Sequence, residues 1–240
     1  MAAPTITSTP FSAASYYGGG PITQSYTHVS GDDLFVYYGT SYSPGGIPSG
    51  VTWNGTALTN IASLTQASVS NRGSLWRLAA ASGATQNVVV TLPGSSDDIG
   101  TLVIFSANGV TGLGTAVTAS YAGINNPSIT LTGDSNALML AAFTVRRDPA
   151  TALATVTATS NGTDLANTGY STASNLGDRT VLFTKAGSAS VAMTGSIATS
   201  PNYGVMLGIP LTGSGGGGSF HAQLTGTRPL HSLVNGGLAR

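Results

Sequence analysis

Short β-type segments separated by turn residues limit the fold of this chain more than any other feature. The segments are rich in Val, Leu, Thr and Tyr, and they include "DLFVYYGT" (33–40), "QNVVVTL" (86–92) and "NALMLAAFTV" (136–145). Such residues favour pleated strands, whereas the apolar spacing of a helix is nearly absent. About a dozen segments of this kind lie between residues 21 and 211. The chain is therefore predicted to be all-β.

Glycine and asparagine stand between these segments, where the chain must reverse direction. Asn54-Gly55, Asn71-Arg72-Gly73 and Asn161-Gly162 supply residues that tolerate the positive φ angles of tight hairpin turns, and hairpins make neighbouring strands antiparallel. Long apolar segments such as 100–110 need a covering layer, so two sheets must pack face to face. We expect an antiparallel two-sheet β-sandwich with jelly-roll-like connections and a flexible C-terminal tail.

The composition changes abruptly near residue 212. No boundary is visible within residues 1–212, which we expect to form the sandwich domain. Residues 213–219 contain only Gly and Ser, a composition typical of a flexible linker. Residues 220–240 follow as a short segment with two histidines, two arginines and no acidic residue, and we interpret them as a docking peptide.

The docking peptide should order only against a partner. Ordering a backbone costs about 1 to 2 kcal/mol per residue, and the few apolar side chains of this segment do not return that amount on burial. Pairing with a partner's backbone and hydrogen bonds from arginine would have to supply the rest. The side chains expected to contact the partner are Phe220, Leu224, Arg228, Leu230, Leu233, Val234, Leu238 and Arg240.

The low charge of the chain argues against several classes of partner. Only 7% of its 240 residues are charged, and the 8 basic groups balance the 8 acidic groups. Nucleic-acid binding needs clustered basic side chains, so we expect no DNA or RNA partner. No segment has the roughly 18 consecutive apolar residues of a membrane span. A neutral hydroxyl-rich surface lacks colloidal repulsion, which favours self-association and a place within an assembly.

Aromatic residues offer one candidate binding surface. Tyr37, Tyr38, Tyr42 and Trp53 could form a platform on which sugar rings stack, although strand alternation turns about half of such side chains inward. Trp76, in "SLWRL", is expected in the core.

Histidine and aspartate give no comparable signal for catalysis. His28 lacks a nucleophile elbow nearby, which favours a surface or structural role. Asp32-Asp33 and Asp97-Asp98 are interpreted as turn-capping residues. Calcium could bind Asp97 and Asp98 with backbone carbonyls, but no D-x-D-x-D-G loop is present. We expect no catalytic residue, cofactor or metal.

One stretch carries a family resemblance. Residues 51–59 read "VTWNGTALT", residues 74–76 read "SLW", and "SGATQNVVVT" (82–91) precedes a strand that contains Phe105 and ends near Gly109-Val110. This pattern, over about residues 46–112 with weaker echoes to 211, resembles phage virion proteins and bacterial surface β-sandwich modules. The resemblance implies a non-enzymatic module of virions or outer surfaces.

Three functions remain open on this reading. The first is a virion structural protein, a capsid decoration or fibre-like component that contacts other virion proteins and its own copies. It would be assembled in the host cytoplasm and released by lysis, since the sequence begins without a secretory signal. The second is a carbohydrate-binding or adhesion module. The third and least favoured is a glycoside-cleaving enzyme built on carboxylates such as Asp97 and Asp98.

Overall fold

The computed structural model describes residues 2–18, 20–42, 46–66, 71–93, 97–147, 158–171, 177–198 and 202–213. These residues form an all-β antiparallel structure, as predicted. They contain no helix of the length and apolarity needed to cross a bilayer. The strands are β1 (Thr5–Ile6), β2 (Phe11–Gly18), β3 (Ile22–His28), β4 (Asp33–Tyr42), β5 (Gly50–Trp53), β6 (Thr56–Ala57), β7 (Thr59–Gln66), β8 (Asn71–Leu78), β9 (Ala84–Thr91), β10 (Asp97–Asn108), β11 (Val110–Leu113), β12 (Val117–Ala122), β13 (Ser128–Leu131), β14 (Ala137–Arg147), β15 (Ala158–Ser160), β16 (Thr163–Ser171), β17 (Gly177–Ala186), β18 (Val191–Ile197) and β19 (Asn202–Gly213).

The strands before Gly109 form one sandwich. Its larger sheet has the order β2-β10-β4-β8-β7, with the short β1 also paired to β10, and its smaller sheet has the order β3-β9-β5-β6. The facing side chains of the two sheets form a buried core that includes Leu34, Val36, Trp53, Val88 and Ile104. We call this unit the N-terminal sandwich.

The strands after Gly109 repeat the same arrangement. Their larger sheet has the order β12-β19-β14-β17-β16, with β11 also paired to β19, and their smaller sheet has the order β13-β18-β15. The strands of each half can be renumbered 1 to 8 in chain order, with β2 and β12 as strand 1 and the two-residue β6 left out. In both halves the larger sheet then has the order 1-8-3-6-5 and the smaller sheet has the order 2-7-4. This is the jelly-roll order, except that the fifth strand joins the larger sheet. We call the second unit the C-terminal sandwich.

The two larger sheets pack face to face. Between them lies a third buried cluster, with Phe35, Tyr37 and Phe105 from the N-terminal sandwich and Leu140 and Ile209 from the C-terminal sandwich. The central strands are therefore covered on both faces, which explains why they are apolar at consecutive positions instead of alternate ones. Edge strand β2 contacts β16, and its counterpart β12 contacts β7. Such an exchange of equivalent contacts is typical of a two-fold interface, here formed within one chain.

This arrangement refines the expectation of a single sandwich over residues 1–212. None of the strand pairs in the described part of the chain joins β1–β10 to β11–β19, so the pairing forms two sandwiches that share one packed interface. Gly109 separates β10 from β11 and has a φ of 73°, which only glycine adopts readily. The chain can therefore turn from one sandwich into the next within a single residue.

Two of the predicted turns have different outcomes. Asn54-Gly55 is confirmed, because both residues have positive φ and they join β5 to β6. The prediction for Asn71-Arg72-Gly73 is wrong, since these residues begin β8. A Cβ atom at Gly73 would lie 2.8 Å from the Tyr37 hydroxyl, so this glycine is explained by close packing instead of chain reversal.

Hydroxyl groups are buried in the interface between the sandwiches. The Tyr37 hydroxyl hydrogen-bonds with Thr144 Oγ1 at 2.7 Å, and Thr144 Oγ1 hydrogen-bonds with Thr180 Oγ1 at 2.8 Å. The Tyr121 hydroxyl donates to the Thr144 carbonyl oxygen at 3.3 Å. Burial raises the pKa of Tyr37 well above its ordinary value, partly opposed by the bond to Thr144, and burial also raises the pKa of Tyr121. Both phenols are therefore held neutral.

We expect the protein to lose stability steeply in alkaline solution. A tyrosine whose pKa is higher when folded stabilises the fold fully below its unfolded pKa of about 10, and loses that contribution as the pH rises through the folded pKa. Each buried tyrosine should lower the free energy of unfolding by about 1.4 kcal/mol per pH unit above about pH 10.

Urea unfolding between about pH 9 and pH 11 measures this slope. Tyr37→Phe should be less stable at neutral pH by about 1 kcal/mol, because a buried hydrogen bond is lost, yet should show a shallower alkaline decline. If the free energy of unfolding fell equally steeply with pH in the wild-type chain and in Tyr37→Phe, the contribution of Tyr37 to the alkaline loss of stability would be contradicted.

The ends of the described chain meet at one end of the molecule. Thr5 pairs with Asn108, and Val110 pairs with Gly213. A Cβ atom at Gly213 would lie 2.4 Å from the Ala2 carbonyl oxygen, so the first and last described residues are in direct contact. We call the group formed by residues 2–6, 108–110 and 213 the junction end. Residues 214–240 continue the chain from this point.

Candidate functional site

Three of the four rings of the predicted aromatic platform are buried. Tyr37 and Trp53 are 0% and 1% exposed, and Tyr38 is 1% exposed. Tyr38 and Trp53 lie in the core of the N-terminal sandwich, and Tyr37 lies in the interface with the C-terminal sandwich. The prediction that these three rings bind a glycan is therefore wrong, because a sugar cannot reach them. The side chain of Tyr42 lies outside the described residues.

His28 occupies a structural position. Its side chain is buried, and its ring packs edge-on against Trp53 at a centroid distance of 5.9 Å. Nε2 lies 3.1 Å from the carbonyl oxygen of Asp32, which can only accept, so this nitrogen donates. Nδ1 lies 2.8 Å from Ser106 Oγ. The structural role proposed for His28 is confirmed.

The pairing of His28 with Ser106 does not form an accessible nucleophile. Ser106 is fully buried, and its hydroxyl also lies 3.3 Å from the hydroxyl of Tyr26. Both nitrogens of His28 are engaged within this network. A catalytic serine must reach its substrate, and a fully buried one is shielded from solvent. The network is explained by the need to satisfy buried polar groups in the core.

Asp32 and Asp33 stabilise the turn region before β4. Asp32 accepts hydrogen bonds from Asn108 Nδ2 at 2.7 Å and from the Thr7 hydroxyl. Asp33 accepts from the backbone nitrogen of Ala80 at 2.9 Å and forms an ion pair with Arg77. Ala80 has a φ of 44°, so the carboxylate holds a strained turn residue in place. The capping role predicted for this pair is confirmed.

Other predicted site residues are not described. Residues 220–240, which contain the docking set, lie outside the described residues, as do the side chains of Asp97 and Asp98. Within the described ranges, no three His, Cys, Asp or Glu side chains come together in a group that could hold a metal ion.

An open cleft of about 330 Å³ lies on the outer side of the smaller sheet of the C-terminal sandwich. The described residues that line it are all uncharged, and every side chain among them is an amide or a hydroxyl. The lining residues are Asn126, Thr159, Ser160, Asn161, Thr194, Gly195 and Ser196.

Strand register positions the hydroxyl groups of this cleft. Met193 and Ile197 point into the core, so the alternating Thr194 and Ser196 face outward. Thr159 pairs directly with Ser196 on the neighbouring strand and shares that outer face. Among the described residues, the side chains of these three make no hydrogen bond. They are therefore available to a ligand.

Asn161 closes one side of the cleft in a fixed orientation. Its Nδ2 donates to the Ala192 carbonyl oxygen at 3.0 Å, and its Oδ1 accepts from the Thr194 backbone nitrogen at 3.1 Å. Its backbone nitrogen also donates to the Thr194 carbonyl oxygen at 3.0 Å. An amide held in this way keeps one hydrogen and one lone pair for a ligand.

The residue pattern did not reveal this cleft. Ser, Thr and Asn are frequent throughout the chain, and Asn161-Gly162 was predicted only as a hairpin turn. That prediction is wrong, because these residues join β15 to β16, which lie in different sheets and do not pair with each other. Only the register of β15 against β18 brings Thr159, Asn161 and Ser196 together. Comparison of the chain with family models, with curated proteins and with solved structures finds no match.

Proposed function

We propose that this chain is a non-enzymatic structural protein of a virus particle, a capsid decoration or a fibre-like component. One geometric observation supports the proposal above the others. Two jelly rolls are joined into one body, and the Gly/Ser segment leaves that body at the junction end, where the first and last described residues meet. A body with a tether at one end suits attachment to a surface.

The chemistry of the described residues agrees with a structural role. The large aromatic side chains of these residues pack in three buried cores. His28 is hydrogen-bonded to Ser106, and the carboxylate of Asp32 accepts a hydrogen bond from Asn108. Jelly rolls occur in viral capsid and lectin domains, which supports the proposal by analogy of fold alone. The resemblance of residues 46–112 to virion and surface modules points the same way.

Attachment would be made by residues 220–240, with other virion proteins as partners and further copies of the chain as neighbours. Repetition in a symmetric shell raises the effective affinity of a weak single contact. The segment holds only two arginines as charged side chains, so the contact should depend little on ionic strength. The alternative, an adhesion module that uses an aromatic platform, loses three of its four predicted rings because Tyr37, Tyr38 and Trp53 are buried.

Quantitative mass spectrometry of purified particles tests the proposal. Particles from a lysate of cells that carry the gene are banded in a density gradient and washed in about 1 M salt, where the Debye length is only about 3 Å. We expect a fixed copy number relative to the major shell protein before and after the wash. An abundant host cytosolic protein serves as the measure of contamination. Recovery in the envelope or soluble fraction, with no fixed ratio to the shell, would rule the proposal out.

A further inference from the structure

We infer that the cleft formed by β15, β18 and Asn126 is a binding site for a neutral saccharide of one or two rings. The inference is independent of the virion proposal, since it concerns the isolated protein and a different surface. Four observations carry it: the uncharged lining, the fixed amide of Asn161, the unpaired hydroxyls, and the size of the cleft.

The lining selects against charged ligands. Asn161 and the hydroxyls of Thr159, Thr194 and Ser196 are neutral groups that both donate and accept. A phosphate or carboxylate ligand would call for a cationic side chain, and none of the described residues that line the cleft carries one. The cation beside Asn161, Lys185, is not among these lining residues, and its Nζ is held by the Ala192 carbonyl oxygen at 3.2 Å. A sugar presents neighbouring hydroxyls that likewise donate and accept, and it also has apolar C–H faces. Both suit this lining, in which carbon atoms expose more area than polar atoms do.

The amide of Asn161 is already oriented for binding. Because its Nδ2 and Oδ1 are held by Ala192 and Thr194, a ligand need not order this side chain. The hydroxyls stand on a hydrogen-bonded sheet whose other face packs on Phe143: a Cβ atom at Gly195 would lie 2.5 Å from that ring. The cleft is therefore built on a rigid support.

The size of the cleft limits the ligand. A volume of about 330 Å³ is near the lower end of the range for small-molecule sites, which begins at about 300 Å³. None of the described lining residues is aromatic, so we expect no contribution from ring stacking to the affinity. We expect a dissociation constant on the order of 1 mM for one site, which becomes useful when many copies are displayed together.

Saturation-transfer NMR and a glycan array on the full chain test this inference. Neutral mono- and disaccharides are the probes, with acidic and phosphorylated sugars as separate arms. The main variant is Thr194→Val with Ser196→Ala, which removes two hydroxyls and keeps strand-compatible side chains. Asn126→Ala is a second variant at an exposed position without a described side-chain hydrogen bond.

Thr27→Val is the matched control. Thr27 stands on the outer face of the other smaller sheet, where its hydroxyl is hydrogen-bonded to Thr85 Oγ1 at 2.8 Å. The wild-type chain and this control should bind a neutral sugar alike, whereas the double variant should bind at least about 10-fold more weakly. Thermal unfolding of each variant shows that the fold is retained.

Three outcomes would overturn the inference. The wild-type chain could bind no neutral saccharide at millimolar concentration. Binding could persist unchanged in both cleft variants, which would place it elsewhere. Only acidic or phosphorylated sugars could bind, which would contradict the neutral chemistry of the lining.

Discussion

Replacing Gly39 with alanine should lower the free energy of unfolding by about 3 kcal/mol. Gly39 lies in β4, at the interface between the sandwiches, where a Cβ atom would stand 2.1 Å from Thr144 Oγ1 and 2.9 Å from Cε1 of Tyr37. Thr144 is fully buried and holds the hydroxyls of Tyr37 and Thr180, so it cannot turn aside without breaking those bonds. The methyl group therefore costs both packing and hydrogen bonding.

Urea unfolding followed by tryptophan fluorescence measures this change. Both tryptophans of the chain, Trp53 and Trp76, lie in the core of the N-terminal sandwich, so the signal reports the half that contains Gly39. Gly50→Ala is the matched control, because a Cβ atom there meets nothing within 4 Å. Its stability should stay within about 0.5 kcal/mol of the wild-type value.

A second substitution identifies the cause. In the presence of Thr144→Ala, which removes the hydroxyl that the new Cβ atom would strike, Gly39→Ala should cost at least about 1 kcal/mol less. If Gly39→Ala were as mild as Gly50→Ala, the tight packing of the two sandwiches through β4 and β14 would be contradicted.

The all-β fold class was predictable from the sequence, but the burial of the central strands on both faces was not. Tyr37 and Tyr38 are neighbours in β4 and therefore point to opposite faces, so a single sandwich would expose one of them. Both are buried because the C-terminal sandwich covers the second face. The consecutive apolar residues of 34–38 and 102–105 carried this information, since a strand exposed on one side usually alternates.

A weak internal repeat could have revealed the second sandwich. Pro21-Ile22-Thr23 precedes Gly31-Asp32, and Pro127-Ser128-Ile129-Thr130 precedes Gly133-Asp134. These stretches correspond to β3 with its following turn and to β13 with its following turn. Few residues are shared, because the fold needs only turn chemistry and buried apolar positions at equivalent places. The two halves therefore share the same strand order but few identical residues.

The candidate cleft was beyond sequence reasoning for a different reason. Catalytic and metal sites use rare residue types at definite spacings, whereas Thr159, Thr194 and Ser196 are ordinary outward-facing strand residues. Their meeting depends on the pairing of β15 with β18, which residue patterns do not specify. The residue pattern also did not indicate that His28 and Ser106 are buried, where their polar groups hydrogen-bond with each other.

Ending the chain at Gly213 should abolish stable attachment to particles while leaving the two sandwiches folded. The last strand, β19, is complete at Gly213, so the deletion removes no described contact. Attachment should fall because the six apolar side chains and two arginines assigned to docking are removed with residues 220–240. Circular dichroism and thermal unfolding should match the full-length chain.

A shuffled variant separates the sequence of the docking segment from its length. It keeps the linker 213–219 and the composition of residues 220–240, but presents those residues in random order. If order matters, this variant should attach as poorly as the truncated chain. Attachment at the wild-type level would show that the tail acts only as a tether.

The copy number of the truncated chain on particles tests the account most directly. Particles from cells that lack the gene are incubated with full-length, truncated or shuffled protein, sedimented, and quantified by mass spectrometry. We predict at least about a 10-fold lower copy number for the truncated and shuffled chains, equivalent to about 1.4 kcal/mol or more of binding free energy. Full occupancy by the chain that ends at Gly213 would contradict the assignment of residues 220–240 as the attachment segment.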